Sequence, residues 1–104
     1  MTDHDVFSVL GTWELGGEMT LDMARVIEQN FDGLIESELG QVNTLLSDGK
    51  PEDAFARFTL LISFLNTAVG KLPSIIRKLK NWVNKIKYTL NTLAKKLGAN
   101  GFSI

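Results

Sequence analysis

Few residues of this chain belong to the types that catalyse reactions or bind transition metals. Cysteine is absent, and His4 is the one histidine among 104 residues. A zinc site or a nucleophile–histidine pair needs several such side chains close together. Neither a Gly-x-Gly-x-x-Gly nor a Gly-x-x-x-x-Gly-Lys phosphate loop occurs in the sequence. The sequence therefore predicts a non-enzymatic protein with no catalytic residue, no metal site and no cofactor.

Three carboxylates offer the remaining chemical pattern. Glu28, Asp32 and Glu36 are spaced four residues apart, so they lie on one face of a helix. Such a row could hold a hard cation or transfer protons. Helical carboxylate metal sites, however, usually include a Glu-x-x-His motif and ligands from other helices, and this chain has neither. The pattern therefore favours an acidic face that is solvated or paired with lysines.

The net charge of −1 conceals a strong asymmetry between the two halves of the chain. Residues 1–53 contain all twelve carboxylates and two basic residues, which gives −10. Residues 54–104 contain nine Lys and Arg residues and no carboxylate, which gives +9. Eight of these nine lie between Lys71 and Lys96. An asymmetry of this size indicates that each half meets an opposite charge, within the chain or on a partner.

The basic residues divide into two sets when they are placed on a helix. Lys80 and Lys87 flank an apolar seam, and we expect them to pair with Glu28, Asp32 and Glu36 of the first helix. The outer face carries cations with amides and an aromatic ring, a composition typical of phosphate-binding or membrane-surface helices. The candidate partner-binding residues on that face are Arg77, Lys78, Lys85, Tyr88 and Lys95.

Apolar periodicity predicts an all-α fold, an antiparallel three-helix bundle with helices at about 20–46, 51–69 and 73–97. Thr20 is expected to cap the first helix, and Pro51 suits the first position of the second. Gly33 and Gly40 are expected to mark close helix contacts. Across the second and third helices the apolar residues recur at alternating steps of three and four, as in a heptad seam. They are Phe55, Phe58, Ile62, Leu65, Val69, Leu72, Ile76, Leu79, Val83, Ile86, Leu90, Leu93 and Leu97.

The seam passes through Gly70 and Pro73 without a change of register, so two structures fit it. In the first, Gly70 ends one helix and Pro73 begins the next, which makes a hairpin. In the second, residues 51–97 form one helix of about 70 Å that kinks at Pro73 and needs an oligomer to cover its seam. The hairpin is favoured because proline removes a backbone donor and collides with the preceding turn.

Segments outside the bundle have weaker patterns. Residues 1–19 are expected to form an arm or a short helix, with Val6, Phe7, Leu10 and Trp13 on its apolar face. Residues 98–104 are expected to be a tail, or the stump of a removed strand. The absence of a secretory leader and of an apolar run of about 20 residues predicts a soluble, cytoplasmic protein.

These observations favour a protein–protein interaction or oligomerisation module, with a homodimer or another protein as the partner. The seam, the apolar breadth of the second helix and the lack of catalytic groups support this hypothesis. The alternative is binding of nucleic acid or of an anionic membrane surface through the basic face of the last helix. Overall neutrality argues against the alternative because the acidic half would repel the same phosphates.

Overall fold

Helices follow one another through the computed structural model, which describes residues 6–98. They are α1 (Val6–Glu14), α2 (Leu21–Gln29), α3 (Phe31–Ser47), α4 (Pro51–Lys71), α5 (Ile75–Leu79), a 3₁₀ turn (Lys80–Trp82) and α6 (Val83–Gly98). The described residues include no strand, which confirms the predicted all-α class. His4 and most of the predicted tail lie outside the described residues.

The first predicted helix, 20–46, is two helices that meet at Asn30. Asn30 has φ −118° and ψ 24°, and its side-chain amide donates a 2.9 Å hydrogen bond to the Val26 carbonyl. Asparagine side chains compete in this way with the helical backbone, which explains the break. The predicted start is confirmed, because the Thr20 hydroxyl oxygen accepts a hydrogen bond from the Met23 amide at 3.2 Å.

A tight turn joins α3 to α4. Gly49 has φ +75°, a left-handed conformation that glycine adopts without steric cost, and Pro51 opens α4 as predicted. Gly33 and Gly40 do not mark close contacts between helices, contrary to expectation. A Cβ atom built on either glycine would meet no atom within 4 Å.

The chain turns back on itself after α4. This helix continues through Gly70 to Lys71, and the break falls at Leu72, whose φ of −138° and ψ of 88° are typical of a residue before proline. α6 then packs against both α3 and α4. The longest dimension of the molecule is 45 Å, shorter than a single helix over residues 51–97 would require. The alternative of one long kinked helix is therefore wrong.

The third predicted helix, 73–97, is also divided. α5 lasts five residues, and a 3₁₀ turn separates it from α6. Ile75, which is off the predicted seam, is 0 % exposed, whereas the seam residue Ile76 is 42 % exposed.

The core lies to one side of the predicted seam. In α4 the buried face includes Leu61, Phe64 and Ala68, none of which belongs to that seam. Of the thirteen seam residues, three are buried, namely Phe58, Leu65 and Leu93. The buried surface of α4 therefore faces α2 and α3 more than α6, and most of the seam is left near the surface.

The N-terminal segment forms a helix that covers this core. α1 buries Val6, Val9 and Leu10, whereas Phe7, which the sequence placed on the apolar face, is exposed. Trp13 meets Phe64 of α4 edge-on, with ring centroids 5.4 Å apart.

Candidate interaction surface

A line of half-buried apolar side chains runs along the junction of α4 with α5 and α6. We call this line the α4–α6 stripe; it consists of Ile62, Val69, Leu79, Val83, Ile86 and Leu90. These residues belong to the predicted heptad seam, and all except Val83 pack against the core. Each of the six is only partly buried, so the stripe offers apolar area that the described part of the chain does not fully bury.

Two adjoining cavities open along the stripe. The first, of about 320 Å³, is lined by Phe58, Thr59 and Leu90 among others, and we call it the Leu90 cavity. The second, of about 200 Å³, is lined by Leu79, Val83 and Ile86 among others, and we call it the Ile86 cavity. Ile62 and Asn66 line both cavities, so the two form one groove with a shared wall.

The two rims of this groove differ in charge. On the α4 side the rim residues are polar and uncharged, namely Thr59, Ser63 and Asn66. On the α6 side Lys87 lines the Ile86 cavity. Lys80, in the 3₁₀ turn seven residues before Lys87, is also exposed but does not line either cavity. The groove is thus apolar at its floor and basic along one rim.

A second groove lies on the opposite side of α6, against α3. It has a volume of about 440 Å³, and its lining includes Glu36, Gly40, Trp82, Lys85 and Tyr88. Tyr88 is 72 % exposed, and the Lys85 ammonium lies 5.0 Å from the centre of the Trp82 ring. Because Glu36 and Lys85 both line this groove, it presents both signs of charge.

The acidic row divides among three different environments. Glu28, on α2, accepts a short hydrogen bond from the Ser74 hydroxyl. Asp32, on α3, accepts a 2.8 Å hydrogen bond from the indole N–H of Trp82. Glu36 lines the α3–α6 groove. The break at Asn30 separates Glu28 from the other two, so the row is not one continuous ladder.

The predicted pairing of this row with Lys80 and Lys87 has no direct contact to support it. The ion pairs between described residues are Arg25–Asp22, Arg57–Glu14 and Arg57–Glu38. Lys87 lines the groove against α4 instead of facing α3. Attraction between the acidic and basic halves at longer range stays a prediction.

The five candidate partner-binding residues do not share one surface. Lys85 and Tyr88 lie together in the α3–α6 groove. Lys78 is half-buried in a cavity of about 380 Å³ whose lining includes Gln29 and Asp32. Arg77 and Lys95 are exposed near opposite ends of the α5–α6 segment.

Sequence reasoning missed the most buried charge of the described chain. Glu38 is 1 % exposed, and Arg57 of α4 reaches it with Nη2–Oε1 at 2.7 Å and Nε–Oε1 at 2.8 Å. Arg57 also contacts Glu14 of α1 at 3.1 Å, so this cation joins three helices. A signal was present, because Glu38 lies four residues from both Leu34 and Val42 on the apolar face of its helix.

Among residues 6–98, no group of three or more His, Asp or Glu side chains is placed to hold a metal ion. Over the same residues, no helix has both the length and the apolar character needed to cross a membrane. Comparison of the chain with protein-family models, with curated proteins and with solved structures found no match.

Proposed function

We propose that this chain is a non-enzymatic protein–protein interaction or oligomerisation module, and that the α4–α6 stripe is its binding surface. The observation that carries the proposal is that a regular heptad seam is only half-buried within one chain. A continuous row of partly exposed apolar side chains along a helical surface, such as the α4–α6 stripe, is typical of sites that bind another helix.

The proposal includes an arrangement for the helices that present the stripe. The α2–α3 pair, α4 and the α5–α6 segment act as three helical units in an antiparallel bundle. Two contacts support it: the Arg57–Glu38 ion pair joins α4 to α3, and Leu90 shares a cavity with Phe58 near the start of α4. In this bundle α4 and α6 lie side by side and the stripe runs between them.

A photo-crosslinking experiment tests the proposal. p-Benzoylphenylalanine replaces Asn66, an exposed residue at the shared wall of the groove, in the cells that make the protein. We expect covalent adducts on irradiation, of twice the chain mass for a homodimer or of another mass for a different protein. The matched control places the same photoprobe at Thr44, which is exposed on α3. Absence of adducts from the Asn66 site, or equal adducts from both sites, would overturn the proposal.

A second candidate is binding of nucleic acid or of an anionic membrane surface through the α5–α6 segment. The exposure of Tyr88, beside Lys85 and Trp82, supports it because aromatic and cationic side chains together bind bases or headgroups. Glu36 in the same groove opposes it. The reference measurement is salt-sensitive binding of the unmodified chain to single-stranded RNA or to phosphatidylserine vesicles at about 50 mM NaCl, where binding to phosphates is strong. Replacement of Lys85 by Glu should remove that binding.

A further inference from the structure

We infer that the α4–α6 stripe binds an acidic amphipathic helix of a different protein. This inference rests on the proposed function and adds the chemistry of the partner. Three properties of the groove carry it: its secondary structure, its length and the charge of its rims.

The groove favours a helix over an extended peptide as its occupant. Both walls are helices, whose backbone amides and carbonyls are hydrogen-bonded along α4 and α6 themselves, so neither wall offers an edge to a strand. A ligand that lies on an apolar floor must therefore satisfy its own backbone groups, and a helix does so internally.

The length of the groove limits how much of a partner helix it can hold. The α4 residues that line the two cavities run from Phe55 to Asn66, and Ile62 and Asn66 line both. This length of helix is about three turns, or roughly 16 Å. A partner helix presents apolar side chains at i, i+3 or i+4, and i+7 on one face within that length.

The charges around the groove favour acidic residues beside the apolar anchors of that partner helix. Lys87 lines the Ile86 cavity, Lys80 lies exposed seven residues before it, and the α4 rim opposite Lys87 is uncharged. Within α4–α6 the carboxylates are Glu52 and Asp53, both in the first turn of α4. A helix with Asp or Glu beside its apolar anchors would meet attraction at the Ile86 cavity and no carboxylate in the lining of either cavity.

The same charges disfavour a second copy of this chain as the occupant. A second copy that docked through its own stripe would bring Lys80 and Lys87 with it. It would therefore add two cations to a groove that already has them, with Glu52 as the nearest carboxylate on the same face of α4. A different protein with acidic flanks avoids this repulsion.

Two synthetic helical peptides of equal length test the inference. Both carry leucine at i, i+3 and i+7, and they differ in having either Glu or Lys at the flanking positions. By fluorescence anisotropy at low salt, the Glu peptide should bind the full-length chain about 10-fold more tightly than the Lys peptide, since two rim cations contribute roughly 1.4 kcal/mol together. High salt should remove most of this difference.

Variants at exposed positions locate the binding. The double change Lys80→Glu and Lys87→Glu should reverse the preference, and Asn66→Glu at the shared wall should weaken the Glu peptide. The control double change, Arg77→Glu and Lys95→Glu, adds the same negative charge but keeps Lys87, the cation that lines the Ile86 cavity, and should leave the preference in place.

Each contrary result has a separate meaning. Equal binding of both peptides, or an unchanged preference in the Lys80/Lys87 variant, overturns the acidic chemistry. A dimer in sedimentation velocity that Asn66→Glu dissociates identifies a second copy as the occupant and overturns the inference. Absence of peptide binding, together with photo-crosslinking to another protein at Asn66, overturns the inference but leaves the proposed function standing.

Discussion

Glu38 illustrates how a single polar residue can fix the relative positions of several helices. A carboxylate that is 1 % exposed is stable only if a cation and hydrogen bonds replace its water, and Arg57 supplies both. Gln41 adds a hydrogen bond at 3.3 Å. Because Arg57 also contacts Glu14, the same side chain holds α1 and α3 against α4.

Replacement of Arg57 by Met should therefore destabilise the protein by about 3 kcal/mol, because Glu38 would remain buried without its cation. The value is at the low end for buried pairs since the Arg57 side chain is 25 % exposed. Urea unfolding followed by circular dichroism measures it. The double change Arg57→Met and Glu38→Met should recover most of the loss, as expected when the cost comes from an unpaired charge.

The exposed pair Arg25–Asp22 is the matched control for this experiment. Its two side chains are 57 % and 85 % exposed. Arg25→Met should change stability by less than about 0.5 kcal/mol. If Arg25→Met and Arg57→Met had similar effects, or if the double variant were no more stable than Arg57→Met, the Glu38–Arg57 contact would not have the structural role assigned to it.

The break between α4 and α5 decides which residue at the start of the last helical segment enters the core. A continuous heptad from α4 into α6 places Ile76 inward, whereas the structure buries Ile75 completely. The difference of one residue arises because the helix stops at Leu72 and restarts after Pro73. The break at Leu72 therefore has a consequence that can be measured, namely the burial of Ile75 instead of Ile76.

Two alanine substitutions distinguish the registers. Ile75→Ala should cost about 3 kcal/mol of stability because it leaves a cavity in the core, whereas Ile76→Ala should cost less than about 1 kcal/mol. Both changes remove the same atoms, so each serves as the control for the other. Equal losses in urea unfolding, or a larger loss for Ile76→Ala, would favour the continuous heptad.

The sequence allowed prediction of the helical class, the start at Thr20, the turn before Pro51 and the return of the chain after α4. These features depend on local signals, namely caps, turn residues and periodicity. The breaks at Asn30 and after Leu79 were not predicted, because the apolar pattern continues across both. Likewise, periodicity identified the stripe residues, but only the packing of α4 against α2 and α3 showed that they stay half-buried.

In the candidate surface, too, local sequence signals predicted some features, and the packing of the helices determined others. Lys85 and Tyr88 were expected to face outward, and both are exposed. Lys87 lies beside α4, and Trp82 donates a hydrogen bond to Asp32. Both positions depend on which helices are neighbours in the fold. A linear pattern gives the face of a helix but does not give the neighbour that this face meets.

At the level of the whole molecule, the opposite charges of the two halves form few direct contacts. Residues 1–53 carry −10 and residues 54–104 carry +9, yet the cross-half ion pairs between described residues all involve Arg57. α3 and α6 nevertheless pack against each other, which brings acidic and basic faces within range of mutual attraction. Apart from the Arg57 ion pairs, any attraction between the halves must therefore come from charges separated by solvent.

Charges separated by solvent are sensitive to ionic strength, which leads to a prediction for the intact protein. An increase of NaCl from low to physiological concentration should lower the free energy of unfolding by about 1 kcal/mol, because salt screens the attraction between halves. The variant Glu36→Gln with Lys85→Gln removes two opposite charges that line the same groove and should show a smaller dependence. Urea midpoints at several salt concentrations measure both. Stability that rises with salt would mean that repulsion within each half exceeds the attraction between them, and that the charge asymmetry serves an external partner.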